Sequence, residues 1–185
     1  MDDWNKVLDY WFSPAAEPHW FEGSAAFDDE LRQRFSALFT AASLGELADW
    51  EGTAQGALAL VILLDQIPRN IYRDNARAFA TDEAALAAAD RAIAQDFDLS
   101  LPAKKRQFLY LPFEHSENLA DQLRAVDFFT NRTDDSEGRD WAERHLAVIR
   151  RFGRFPHRND ALGRRSTQAE RDYLAERARA GKPPF

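Results

Sequence analysis

Three short segments concentrate the side chains able to do chemistry in this chain of 185 residues. They are Leu64-Asp65-Gln66-Ile67-Pro68-Arg69-Asn70-Ile71-Tyr72-Arg73, Leu111-Pro112-Phe113-Glu114-His115-Ser116-Glu117 and Arg151-Phe152-Gly153-Arg154-Phe155-Pro156-His157-Arg158-Asn159. Each sets a bulky apolar residue before a proline and a dense polar group around it. Proline stiffens the backbone and the apolar neighbour anchors it, so the polar heads are held rather than solvated. Proline is also ordinary punctuation at helix ends, and that structural reading stands beside the functional one.

The chemistry these residue types suit is anion recognition. Arginine outnumbers lysine 20 to 4, and its planar fork pairs bidentately with carboxylate or phosphate. The candidate ligand-binding residues are Arg69, Arg73, Glu114, His115, Glu117, Arg154, His157 and Arg158. Of these, Arg69, Glu114, His115, Arg154, His157 and Arg158 are expected to converge on one polar pocket. Glu114, Glu117 and Asp65 would orient the guanidinium groups, and His115 and His157 would exchange protons near neutral pH. Arg69, Arg73 and Arg77 are spaced by four and share a face if the chain stays helical past Pro68. Arg124 lies seven residues beyond Glu117, near the same face. The plainer alternative is an ion-pair network that ties helix ends together.

Other chemistries lack their residues. No two of His19, His115, His145 and His157 lie at i and i+4, which excludes a helix-borne zinc motif. Glu114, His115, Glu117 and His157 form a mixed oxygen and nitrogen set, but the acids serve equally as partners for arginine. Zero cysteines exclude disulfides, iron–sulfur clusters and a thiol nucleophile. A Gly-x-Ser-x-Gly elbow is absent, and Ser116 beside His115 would point about 100° away from it on a helix. Glycine-rich phosphate loops are missing too, so neither a metal nor a cofactor is expected.

The elements that must position these residues all read as helices. Trp4, Val7, Leu8 and Trp11 mark the first, and Ser24 caps a second whose stripe is Phe27, Leu31, Phe35, Leu38, Phe39 and Ala42, closed by Gly45. A third, from about Ala54 to Ile67, is apolar all round over Ala57–Leu64 and should be buried on every side, ending at Pro68. Thr81 caps a fourth, with stripe Ala85, Leu86, Ala89, Ile93 and Phe97. Pro102 opens a short fifth that Pro112 interrupts. Leu119, Leu123, Val126 and Phe129 line the next, and the polar stretch Asn131 to Gly138 reads as a mobile loop. Trp141, His145, Val148, Ile149 and Phe152 follow, which makes His145 a core histidine first and a pocket residue second. Thr167-Gln168-Ala169-Glu170 is a capping box opening a last helix through Tyr173 and Leu174. Trp20 and Trp50 fall outside the stripes and can line a groove. The expectation is a single all-α domain over residues 1–185, with about eight helices in antiparallel hairpins.

The blocks "LLDQIPRNIYR" with "ARAFATD", "LPFEHSE", and "RFGRFPHRN" with "LGR" and "ST" resemble the signature of a bacterial family called domain of unknown function 924. The resemblance runs from Trp11-Phe12 to Tyr173-Leu174, with Leu111 where methionine is more usual. It implies an α/α superhelical fold related to tetratricopeptide-repeat proteins and brings no established activity, although no 34-residue repeat is visible here.

The formal charge is −7, which argues against nucleic-acid or anionic-membrane partners. Residues 139–185, however, hold 11 Arg and 1 Lys against 6 acids, a net of +6, leaving −13 on residues 1–138. The longest apolar run is far below the roughly 20 residues of a membrane span, and no basic leader opens the chain, so a cytoplasmic protein is expected. Two functions follow from different classes. One is a pocket for a small phosphorylated or carboxylated molecule. The other is a tetratricopeptide-like module that clamps a partner's peptide tail in a groove. The residues leave the ligand's identity and the oligomeric state open.

Overall fold

A computed structural model describes residues 3–185, and every regular element among them is helical. The chain forms two compact units that part after Pro112.

In the first unit, α1 (Asp3–Trp11) buries Val7, Leu8 and Trp11. Ser24 caps α2 (Ala25–Ser43) by accepting from the Phe27 amide, and Gly45 closes it at a φ of +77°. Thr53 caps α3 (Ala54–Val61) the same way, through the Gly56 amide. Every residue from Gly56 to Pro68 is buried, as an apolar circumference requires.

Pro68 does not end this helix. A π-helical turn over Ile62–Gln66 leads into α4 (Ile67–Ile71), with Pro68 in its first turn. Ile67 keeps helical dihedrals (φ −57°, ψ −48°). The wider turn accommodates a ring that would otherwise press on the carbonyl four residues back. That carbonyl, on Leu64, has no proline N–H to accept and takes the Thr81 hydroxyl instead, at 2.6 Å. Thr81 accordingly stands at the start of α5 (Asp82–Ala94) without capping it through its side chain. The buried face of α5 is mostly alanine, with Leu86 half-buried.

Pro112 is likewise no stop: α6 runs Ala103–His115 with the proline inside it. Phe108, Leu109, Tyr110 and Phe113 are fully buried around it, and that packing outweighs one missing backbone bond. Pro102 precedes the helix and offers its carbonyl to the Lys105 and Arg106 amides.

The second unit is built on α7 (Leu119–Arg132), α8 (Ser136–Phe152) and α9 (Gln168–Arg179). The expected loop 131–138 shrinks to Thr133–Asp135, because helix ends take up the rest. Asp135 caps α8 through the Gly138 amide, and a methyl on Gly138 would strike the Phe129 ring. The face of α7 is turned from the expected one. Leu119 and Leu123 are about half exposed (47% and 45%), whereas Gln122, Ala125, Phe128 and Phe129 are buried. Gln122 explains the rotation. Its Nε2 donates to the carbonyls of Phe113, Glu114 and Ser116, at 3.4, 2.5 and 2.7 Å, so a polar side chain finds better partners inside than out. The capping box on α9 forms as expected.

Candidate functional site

The arginines of the first block are engaged by carboxylates within their own unit. Arg69 Nη1 and Nη2 donate to the two Asp82 oxygens at 2.9 and 3.1 Å, and Nη1 also donates to the Asp65 carbonyl at 2.6 Å. Arg73 forks onto Asp28, with both bonds 2.9 Å, beside Gly23, where a methyl would collide with the guanidinium. Arg77 reaches the Tyr72 hydroxyl and lies over its ring. The three share no face, because α4 ends at Ile71.

The second and third blocks meet in the other unit, around Glu117. This carboxylate accepts from the Phe155 amide at 2.7 Å and from Arg164 Nη1 and Nη2 at 2.6 and 2.9 Å. Burial pushes the Glu117 carboxyl up, but Arg164 and the amide outweigh it and hold it below the ordinary carboxylate range. Arg154 forks onto Glu170 at 2.6 and 2.9 Å. That guanidinium, followed by the amide and hydroxyl of Thr167, holds the Glu170 carboxyl down at about 2. Arg158 is buried with its guanidinium carbon 4.5 Å above the Phe155 ring.

Glu114 and His145 form a buried pair: Nδ1 lies 2.8 Å from Oε1 and 2.9 Å from the Trp141 carbonyl. Both neighbours are acceptors, so Nδ1 carries the proton. Glu114 Oε2 is buried with no hydrogen-bond partner among the described residues. The His115 ring lies edge-on to His145 at 6.3 Å. His157 reaches the same cluster through Phe155 and Phe185, at 5.6 and 5.5 Å.

Beside this cluster is a cavity of about 180 Å³, lined by Arg144, Val148, Arg151, Tyr173, Arg177 and Phe185 among others. Arg144 and Arg151 stand two turns apart on α8. Arg144 stacks over Trp141 at 4.5 Å, and Arg151 over Phe152 and Tyr173 at 4.8 and 5.3 Å. Neither has a carboxylate partner among the described residues. Sequence reading passed over these two arginines, although their i, i+7 spacing on α8 and the net +6 beyond residue 138 were both legible. Three or more His, Asp or Glu grouped to hold a metal are not found among the described residues.

A family model described as "Bacterial protein of unknown function (DUF924)" matches residues 7–178. The chain is similar to a solved structure of the protein of unknown function ATU0120 from Agrobacterium tumefaciens. The two share 41% identity over 94% of this chain and 97% of that one, with a TM-score of 0.89. No curated protein matches. Among the described residues no helix is long and apolar enough to cross a membrane.

Proposed function

The chain belongs to the bacterial family of unknown function DUF924, and from its own side chains we propose that it binds a small phosphorylated or carboxylated molecule in the cavity flanked by Arg144, Arg151 and Arg177. The observation that carries this reading is the contrast among the arginines. Arg69, Arg73, Arg154 and Arg164 are each satisfied by carboxylates, so an anion would have to displace an internal partner from each. Arg144 and Arg151 spend only their flat faces, on aromatic rings. A stacked guanidinium keeps its in-plane N–H groups for a bidentate acceptor. Ala147, Val148 and Tyr173, which also line the cavity, suit the carbon skeleton of such a molecule.

In this reading the residues of the three proline blocks are the frame. The Glu117–Arg164 and Glu170–Arg154 pairs anchor the turn after α8 and the start of α9. A thermal-shift screen of phosphorylated and carboxylated metabolites tests the proposal. The expected result is a rise in melting temperature that disappears in an Arg144→Gln/Arg151→Gln double variant. No response, or an equal response in the double variant, overturns it.

A further inference from the structure

After α9 the chain turns at Gly181, whose φ is +61°, and Pro183 and Phe185 return to side chains of α9 and α8. Arg177 holds this strap by its main chain: Nε donates to the Pro183 carbonyl at 2.7 Å and Nη2 to the Phe185 carbonyl. The Phe185 ring is then laid flat on His145, with centroids 4.1 Å apart and planes 25° apart. Trp141 and His157 close it edge-on at 6.0 and 5.5 Å. The ring therefore occupies a slot with an imidazole floor and aromatic sides, and the same ring forms one wall of the arginine cavity.

Two features distinguish this slot from ordinary core. Its floor is the ring of His145, whose Nδ1 is paired with the buried Glu114, and Glu114 Oε2 lacks a hydrogen-bond partner among the described residues. A floor meant only to be covered by phenylalanine needs neither a carboxylate nor an imidazole, and both cost free energy to desolvate. The strap's grip is also built from a group the cavity would use, because Arg177 on two carbonyls is an arginine withheld from an anion.

We infer that Phe185 is an internal occupant of a ring-binding slot, and that the ligand is a molecule joining a planar aromatic ring to a phosphate or carboxylate. Its ring takes the place of Phe185 on His145. Its anionic group faces Arg144 and Arg151, and Arg177 turns from the strap carbonyls to join them. The strap then competes with ligand, and the apparent affinity is reduced by the fraction of molecules in which it is seated. The inference rests on the proposed anion cavity and narrows the class of molecule it takes.

Phenyl phosphate, benzoate and inorganic phosphate serve as probes, by calorimetric titration of the full chain and of its Phe185→Ala and Phe185→Leu variants. Leucine keeps apolar packing against Val148 and Phe155 but removes the planar ring, so it guards against a variant that merely unfolds. The expected result is that phenyl phosphate binds either variant about tenfold more tightly than the parent, as removal of a competing internal ligand requires, while inorganic phosphate, which gains only the freed Arg177 and no ring seat, tightens several-fold less. In parallel, the His145 ring proton signals should move on adding phenyl phosphate and stay put with inorganic phosphate. If phenyl phosphate and inorganic phosphate bind alike and the Phe185 variants change neither, the slot inference falls and the anion cavity stands. If none of the three anions binds parent or variants, both fall. Tighter binding by a Pro-Phe peptide than by phenyl phosphate would overturn the small-molecule class.

Discussion

Glu170 shows how one side chain can be fixed by two jobs at once. It completes the capping box on Thr167 and accepts both arms of Arg154, which together hold its carboxyl at about 2 against an ordinary 4.5. A carboxyl depressed in the folded state stabilises the fold fully above its unfolded value. That contribution is lost as pH falls from about 4.5 towards 2, because the unfolded chain takes up the proton first. Glu117, depressed by Arg164, acts in the same direction. Melting temperature against pH should therefore fall through this window in the parent and fall less steeply in Glu170→Gln, which starts lower at pH 7; parallel curves would refute the assignment. The same scale separates frame from site. Arg154→Gln should lower the melting temperature and leave the anion-induced rise intact, whereas the Arg144→Gln/Arg151→Gln pair should do the reverse.

Among the elements, the π-helical turn between α3 and α4 depends on a partner in α5's leading residue. Thr81→Val keeps the shape but leaves the Leu64 carbonyl buried and unpaired, which should cost about 1–3 kcal/mol in urea unfolding. Thr81→Ser, which restores the hydroxyl, should recover most of it. Gly56 in the first turn of α3 gives a prediction of unusual sign. Alanine in a helix normally gains stability over glycine. Here an added methyl would run into the Trp50 carbonyl oxygen, which is backbone and cannot swing aside. Gly56→Ala should lower stability by about 1–3 kcal/mol, as overpacking does, and a gain in the urea midpoint would show that the two backbones separate freely.

At the scale of the whole molecule, the uneven charge is the leading property. An overall −7 hides the +6 of residues 139–185, the stretch that supplies Arg144, Arg151 and Arg177. Anion binding there should weaken steeply as sodium chloride rises from low salt, since exposed charges are screened beyond roughly 10 Å at 0.1 M. Affinity independent of salt, measured by titration with phenyl phosphate, would place the bound anion elsewhere.

Much of this was legible in the sequence for local reasons. Helical periodicity, the Ser24 cap, the Thr167–Glu170 box and the all-round apolar run at Ala57–Leu64 are rules about neighbours three or four residues apart, and the all-α fold follows from them. The clustering of polar heads near prolines was also visible, and two of the three blocks do meet, at Glu117. Partners distant in the chain are what only the tertiary structure decided. Pro68 and Pro112 look like stops until packing and the Thr81 hydroxyl compensate for the missing amides. The face of α7 was set by the carbonyls of Phe113, Glu114 and Ser116, which Gln122 reaches across the turn before the helix and which lie outside helical spacing. Which arginines stand open was set the same way. An arginine is free or neutralised according to whether some remote carboxylate reaches it, and spacing along one helix carries no record of that. Arg154 and Arg144 read alike in sequence; Glu170, sixteen residues beyond the first, makes one a strut and leaves the other facing the cavity.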